Sequence, residues 1–233
     1  MRVLLTRPKQ DAGVFAGRLR ELGHEALSAP LLRVRFHDGP PLALDGVQGI
    51  LVTSANGVRA LARRTKRRDL PVFTVGPQTA REALSTGFVR VESAGGDAAA
   101  LAGALPRWAR AEAGALLHAT GAEGAGRLAL LLAAKGYEVN TAILYDVVAA
   151  TMLPQDVVDA LKDGSLDAAL FFSPRSAGVF RECILNGHLA DACVRLAAIC
   201  ISRAAATALA PLSFAEIRIA AWPNQDALLA CLG

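Results

Sequence analysis

No apolar run in this chain approaches the roughly 20 residues that a membrane-spanning helix needs. The longest candidates, such as residues 128–134, fall far short. The N-terminus reads Met1-Arg2-Val3-Leu4-Leu5-Thr6-Arg7-Pro8. Its apolar stretch meets a charge after three residues and Thr6, so it reads as a first β-strand and not as the centre of a signal peptide. The expectation is a cytoplasmic protein with no membrane partner. Cysteine is scarce and unpatterned: Cys183, Cys193, Cys200 and Cys231 form no C-x-x-C pair, and no His stands at a metal-ligand spacing from them. Buried, reduced thiols follow, and no metal site.

Motifs of several enzyme classes are also missing. There is no G-x-S-x-G nucleophile elbow and no H-E-x-x-H pair. The stretch Thr120-Gly121-Ala122-Glu123-Gly124-Ala125-Gly126 has the wrong glycine order for a dinucleotide fingerprint and lacks the G-K-[ST] ending of a phosphate loop. A nucleotide cofactor is therefore not expected. The four histidines are scattered, and His118, at the end of a strand, reads as a satisfied core or rim residue.

Neither charge sign dominates. Lys plus Arg number 25 and Asp plus Glu 21, a net charge of +4, with a pI of about 9.1. So mild an excess fits an anionic small molecule better than a nucleic acid. The densest basic run, residues 63–68, has no interleaved aromatic and reads as a solvated helix end stopped by Pro71.

What is present is core material. Hydrophobic residues make up 53%, and mean hydropathy is +0.35. The 233 residues allow one large domain or two of about 110 residues each. Short apolar segments at 3–6, 49–53, 72–76, 115–119, 168–173 and 197–202 read as strands, each followed by a helix-period segment. That alternation predicts an α/β fold with parallel sheets. In the first helix Val14, Phe15, Leu19 and Leu22 form the apolar stripe, and Gly23 caps the end.

Internal similarity adds a second level. Residues 3–34 match 116–147 at an offset of 113, with Gly23-His24-Glu25 against Gly136-Tyr137-Glu138. Residues 51–54 match 170–173, and 75–80 match 201–206. Three strand–helix types thus occur twice, in the same order. Two similar three-layer domains follow. Long β-rich segments after Gly23 and Gly136 read as two passes between them. On that reading residues 1–30 join 150–233 in a discontinuous first domain, 42–140 form the second, and 31–41 with 141–149 form a two-stranded β linker. A simple split near residue 110 is the alternative.

Ligands in such folds sit at strand-to-helix turns. Here these read Thr6-Arg7-Pro8, Thr53-Ser54-Ala55-Asn56-Gly57, Gly76-Pro77-Gln78-Thr79, Thr120-Gly121-Ala122-Glu123-Gly124, Ser173-Pro174-Arg175-Ser176 and Ser202-Arg203-Ala204. Helix capping accounts for about half of these polar residues. The helix N-termini behind them are anion sites in their own right. Six such turns around one cleft suit a ligand with several separated carboxylates. Only two tyrosines exist. Tyr137 follows a helix-ending glycine and reads as structural; Tyr145 lies in the second interdomain pass, where a phenol can point into a cleft.

These pieces in this order resemble the uroporphyrinogen-III synthases over nearly the whole chain. The resemblance rests on residues 3–8, 52–58, 75–80, 136–145 and 171–177. It implies two α/β domains on a two-stranded linker, no metal or organic cofactor, and a linear tetrapyrrole substrate, hydroxymethylbilane, with eight carboxylates. The implied reaction loses the terminal hydroxyl as water and closes the ring with the last pyrrole inverted, through a spiro intermediate. Tyr145 matches the tyrosine proposed to assist loss of the hydroxyl; a phenol carries its proton at neutral pH. Ser54, Thr79 and Ser173 match residues lining the family's cleft. The resemblance also implies a monomer that meets the preceding pathway enzyme transiently. One departure stands out: Ala205 occupies a position where the family often has Thr, leaving Ser202, Arg203 or backbone N–H groups to serve there. A non-catalytic, two-lobed binder of tetrapyrroles or polycarboxylates is the alternative function.

Overall fold

The computed structural model describes residues 1–7 and 9–233, with Lys9, Gln10 and Asp11 described by backbone alone; Pro8 of the opening motif lies outside the described residues. In chain order the elements are β1 (Arg2–Leu5), α1 (Lys9–Glu21), β2 (Glu25–Ser28), β3 (Leu32–Phe36), β4 (Val47–Val52), α2 (Ala55–Arg64), β5 (Val72–Thr74), α3 (Pro77–Ser85), β6 (Val91–Ser93), α4 (Ala98–Ala104), β7 (Ala115–Gly121) and α5 (Arg127–Ala133). There follow β8 (Val139–Ala149), α6 (Gln155–Lys162), β9 (Ala168–Phe171), α7 (Pro174–Asn186), β10 (Ala197–Cys200), α8 (Arg203–Thr207), β11 (Glu216–Ile219) and α9 (Gln225–Ala230). The chain divides into two compact units, Met1–Arg33 with Val148–Gly233, and Val34–Val147.

The first unit is built on a sheet of order β11-β10-β9-β1-β2, the second on a sheet of order β3-β8-β7-β4-β5-β6. Read from β6, the second order is β6-β5-β4-β7-β8-β3; its first five strands follow the first order element for element, and β3 adds a sixth at the edge. The strand–helix types that recur in the sequence therefore occupy matching places: β1 with β7, β9 with β4, β10 with β5. The strands β1, β9 and β10 are all but completely buried, as expected of parallel strands covered on both faces. Alternate residues feed two separate cores. Leu4, Ala169, Phe171, Ala198 and Cys200 face one helical layer, and Val3, Leu5, Leu170 and Ile199 face the other. In the second unit Ile50, Val52, Val72 and Leu117 lie on one side, and Leu51, Phe73 and Leu116 on the other. Each unit thus has three layers.

The matching Gly23 and Gly136 end their helices alike. Their φ angles are 77° and 83°, a region glycine enters without steric cost. In both turns the next residue's N–H reaches back, His24 to Leu19 and Tyr137 to Leu132. The Tyr137 hydroxyl then donates to the Ala109 carbonyl at 2.8 Å in a buried position, a structural role as expected.

Five local expectations change. In α1 the buried stripe is Ala12, Phe15 and Leu19, while Val14 and Leu22 are exposed. At 100° per residue Val14 lies far around the helix from Leu19, and Leu22 falls beyond the last turn. The strands expected at 49–53, 168–173 and 197–202 end one or two residues early, because Ser54, Ser173 and Ser202 serve as helix caps, while the one expected at 115–119 runs on to Gly121; short strands β6 and β11 had no sequence signal of their own. The basic run is not simply solvated. Arg64 donates to the carbonyls of His37 and Pro40, and Arg68 donates to those of Ala62, Thr65 and Thr86 while covering Phe88. Cys183, Cys193 and Cys200 are buried and free, but Cys231 is half-buried; burial pushes the Cys193 and Cys200 thiols up to about 11 and 12, far from reactive.

The fifth change concerns His118. It lies within β7, fully buried, beside Leu51 in register. Neither ring nitrogen has a hydrogen-bond partner among the described residues. It is buried but not satisfied, and burial pushes its pKa down to about 4. The folded state therefore holds it neutral, while the unfolded chain takes up its proton below about pH 6.5. Stability is complete above that value and falls as pH drops toward 4. Chemical unfolding of the second unit is expected to show a loss of roughly 2 kcal/mol between pH 7.5 and pH 5 from this group. The near-isosteric His118→Leu removes that loss; an unchanged pH slope in the variant would reject this assignment.

Candidate active site

In the second unit β7, β4 and β5 are adjacent and parallel. Their C-terminal ends emerge at one edge, with the turns bearing Thr120 and Gly121, Thr53 to Asn56, and Gly76 to Thr79. The strand β8, parallel to β7, brings Tyr145 to the same edge. The pairing slips there: Thr120 faces Ile143, but Gly121 faces Tyr145, so Leu144 is an extra residue. Such a bulge re-aims side chains. Leu144 and Tyr145 are accordingly both buried in the same core, where strict alternation would send one of them outward.

The ring of Tyr145 rests on Gly121. A Cβ at Gly121 would lie 2.7 Å from ring carbon Cε2 and 2.8 Å from Cζ, so no larger residue fits. Phe36 of β3 lies beside the ring, with centroids 6.5 Å apart, and Arg63 covers Phe36 at 4.3 Å. The phenol oxygen is 2.8 Å from Ser54 Oγ. Ser54 is the N-cap of α2, and its Oγ accepts the Gly57 N–H at 3.0 Å. A Cβ at Gly57 would come within 2.8 Å of Val52 Cγ1 and 3.0 Å of the Ala119 carbonyl. One at Gly124 would meet Thr120 Oγ1 at 2.7 Å. Glycines thus close the space around Tyr145. A recess of about 120 Å³ opens beside it, bounded by Gly121, Glu123, Gly124, Tyr145 and Asp146.

Next to Tyr145 in β8, Asp146 accepts from Arg35 at 2.8 Å and pairs with His37 Nε2 at 2.9 Å. Arg35 first, then His37, hold the Asp146 carboxyl below its ordinary value. Of the other expected residues in this unit, Asn56 Oδ1 accepts from Arg59 at 3.2 Å, and Arg59 forms a two-pronged pair with Glu82 of α3 at 2.8 and 3.0 Å. Gln78 is exposed, whereas Thr79 and Thr120 are buried.

In the first unit β10, β9 and β1 are likewise adjacent and parallel, and gather Thr6, Arg7, Ser173, Pro174, Arg175, Ser202 and Arg203 at one edge. Thr6 is fully buried and its hydroxyl donates to the Leu170 carbonyl at 2.6 Å, which commits it to the sheet. The Arg7 guanidinium lies over Phe172 at 4.6 Å. Ser173 and Ser202 accept the N–H groups of Ser176 and Ala205. Pro174, Arg175 and Arg203 are exposed. Of the helices behind these turns, α2, α3, α7 and α8 carry no acidic residue in their first turns, whereas the short turn after Gly121 carries Glu123 and α6 and α9 carry Asp156 and Asp226. Acids are favoured there; without them the positive helix ends stay uncompensated.

Gly57, Gly124 and Phe36 were not singled out from sequence, although the break in alternation at Leu144-Tyr145 is visible there. Among the described residues no group of three or more His, Cys, Asp or Glu side chains could hold a metal ion, and no helix is long and apolar enough to cross a membrane.

Residues 13–230 match the model of the family "Uroporphyrinogen-III synthase HemD". A protein of Methanocaldococcus jannaschii, provisionally described as a uroporphyrinogen-III synthase, is 31% identical over 87 residues, which span 35% of this chain and 36% of that protein. The crystal structure of uroporphyrinogen-III synthetase from Helicobacter pylori is similar over 100% of this chain and 98% of its own, with a TM-score of 0.68 at 19% identity. A mutant uroporphyrinogen III synthase from Thermus thermophilus matches over 100% and 97%, with a TM-score of 0.56 at 19% identity. At that identity the likeness to the solved structures is one of fold.

Gly121→Ala tests the packing around the phenol. The added methyl must displace the Tyr145 ring, so the variant is expected to lose about 1–3 kcal/mol of stability, the usual cost of overpacking, and to shift the near-ultraviolet tyrosine signal. A variant as stable as the parent, with an unshifted signal, would contradict the contact.

Proposed function

Because the chain belongs to the uroporphyrinogen-III synthase family, we propose that it closes hydroxymethylbilane into uroporphyrinogen III, with loss of water and inversion of the last pyrrole. It is then a cyclising lyase of tetrapyrrole biosynthesis. The observation that carries the reading is the Tyr145 phenol, aimed by a bulge and fixed on Ser54 at the start of α2. The recess beside it, about 120 Å³, is of the size that holds one small ring, as a reacting pyrrole requires. Helix ends without acidic residues, in both units, suit a substrate with eight carboxylates.

In this reading Tyr145 is the general acid. Its proton goes to the hydroxyl oxygen of the substrate, the C–O bond breaks with its electron pair on that oxygen, and water leaves. The pyrrole nitrogen lone pair fills the vacancy, giving an azafulvenium cation. The substituted carbon of the last pyrrole attacks it, and the spiro intermediate fragments and recloses with that ring inverted. Loss of a proton from the closing ring returns the phenolate to phenol. The remaining work is positioning: the substrate must be folded so that the substituted carbon attacks, and the spontaneous closure gives the uninverted isomer. Orientation of this kind is worth several kcal/mol. The substrate-holding residues on this reading are those at the two sheet edges, among them Thr53, Gly76, Gln78, Arg7, Ser173, Arg175 and Arg203. No metal or organic cofactor takes part. The reading includes a cytoplasmic monomer that receives its substrate from the enzyme producing it.

Fresh hydroxymethylbilane supplied to the purified protein is expected to give isomer III after oxidation to porphyrin. Tyr145→Phe is expected to lower kcat by roughly 10²- to 10⁴-fold, the range for loss of a general acid. Isomer I alone, at the spontaneous rate, from folded protein would overturn the synthase and favour a non-catalytic binder.

A further inference from the structure

Ser54 stands among residues expected to hold carboxylates, yet its oxygen is engaged within the protein on two sides. A serine hydroxyl offers two lone pairs and one hydrogen. The Gly57 N–H takes a lone pair at 3.0 Å, and Tyr145 Oη lies at 2.8 Å. We propose that Ser54 is the positioning residue of Tyr145: its O–H donates to the phenol oxygen, leaving the phenol's own proton free for the substrate, and it holds the phenolate once that proton has gone. The proposal deepens the reading of Tyr145 as the general acid and rests on it.

Two observations separate this role from ordinary capping. The first is what is built around the pair. The bulge at Leu144 turns Tyr145 into the core. Gly121 leaves room for its ring, and Gly57 lets the start of α2 approach the sheet closely enough for Ser54 to reach it. Ser54 needs none of this to cap a helix.

The second is the matching residue of the other unit. Ser173 caps α7 with the same geometry, accepting the Ser176 N–H at 3.1 Å. Its Oγ also lies 3.1 Å from Ser176 Oγ. At the offset of 113 residues that relates the two copies, Leu32 stands where the second unit has Tyr145. The cap is common to both units, and the phenol belongs to one.

The chemistry needs the hydrogen to run from Ser54 to Tyr145. When the phenol gives up its proton, the only hydrogen left between the two oxygens is that of Ser54, and the phenolate requires it. The Gly57 N–H, at the positive end of the ten-residue α2, strengthens the Ser54 O–H as a donor. No acidic residue in the first turn opposes it. When the product sheds its proton to Tyr145, the starting arrangement is restored.

Three variants decide the matter, each assayed for kcat, KM and isomer ratio with hydroxymethylbilane, together with Tm. Ser54→Ala removes both the donor and the cap. Its kcat is expected to fall roughly 10- to 100-fold, as for a lost hydrogen bond to a charged group, with KM within about twofold of the parent. Ser54→Thr keeps both functions and is expected to recover kcat to within a few-fold. Ser54→Asp keeps the cap and a parental Tm but has no hydrogen to give, so its kcat is expected to be as low as that of Ser54→Ala. The loss should vanish in a Tyr145→Phe background, since the two groups act as one. A Ser54→Ala variant with raised KM and parental kcat would make Ser54 a substrate ligand. A Ser54→Asp variant with parental kcat would make it a cap alone. Either result overturns this assignment while leaving the synthase reading intact. Wild-type protein yielding only isomer I would bring down both.

Discussion

The distance between the start of α2 and its sheet sets the rest of the candidate site. The Ala119 carbonyl and the Val52 side chain lie where a Gly57 Cβ would have to be. With any larger residue the helix must back away, and Ser54, three residues earlier, moves with it. The hydrogen bond between Ser54 and Tyr145 is then lost. A close approach of backbone to backbone is a constraint that only glycine satisfies, and here its effect reaches a phenol far away in the chain. The bulge in β8 is the complementary device, since it brings the phenol to the helix instead of the helix to the phenol.

The layered cores explain why these devices hold their shape. Each sheet is covered on both faces by its own set of apolar side chains, so the strand ends are fixed from two sides and the turns inherit that rigidity. Arg59 and Glu82 tie α2 to α3 in a half-buried, two-pronged pair, which sets the spacing of neighbouring helix starts. Arg64 and Arg68 do the same at the other end of α2 by binding free carbonyls. The basic run that looked like a solvated tail anchors the helix that carries Ser54.

Much of the architecture was legible because it depends on local pattern. Apolar strands of a few residues, helix-ending glycines and the repetition of three strand–helix types follow from burial and turn geometry that leave a direct mark in sequence. The order of strands within each sheet leaves no such mark, and it is there that the two copies prove alike. The site was legible in part. Polar turns identify the sheet edge, and Tyr145 was marked by its place in an extended segment and by resemblance. Which turn residues face inward was not legible: Thr6 and Thr79 share the composition of their exposed neighbours and differ only in the side of the turn they occupy. His118 was misjudged for a related reason. Its register neighbour and the layer above it are long-range facts, and an apolar setting on every side has no signature in the residues adjacent to it.

The departure at Ala205 can be understood from the same geometry. At the offset that relates the two copies, Gly76 and Thr79 correspond to Ser202 and Ala205. Gly76 caps α3 without a side chain, whereas Ser202 caps α8 by accepting the Ala205 N–H. Both Thr79 and Ala205 are buried, so neither position presents its side chain to solvent. The second unit places its hydroxyl three residues into the helix, and the first places it at the cap. Each turn keeps one hydroxyl near the helix start, buried at Thr79 and at the cap in Ser202. The position that looked like a loss is half of a paired substitution, and the other half is the serine immediately following β10 and Ile201.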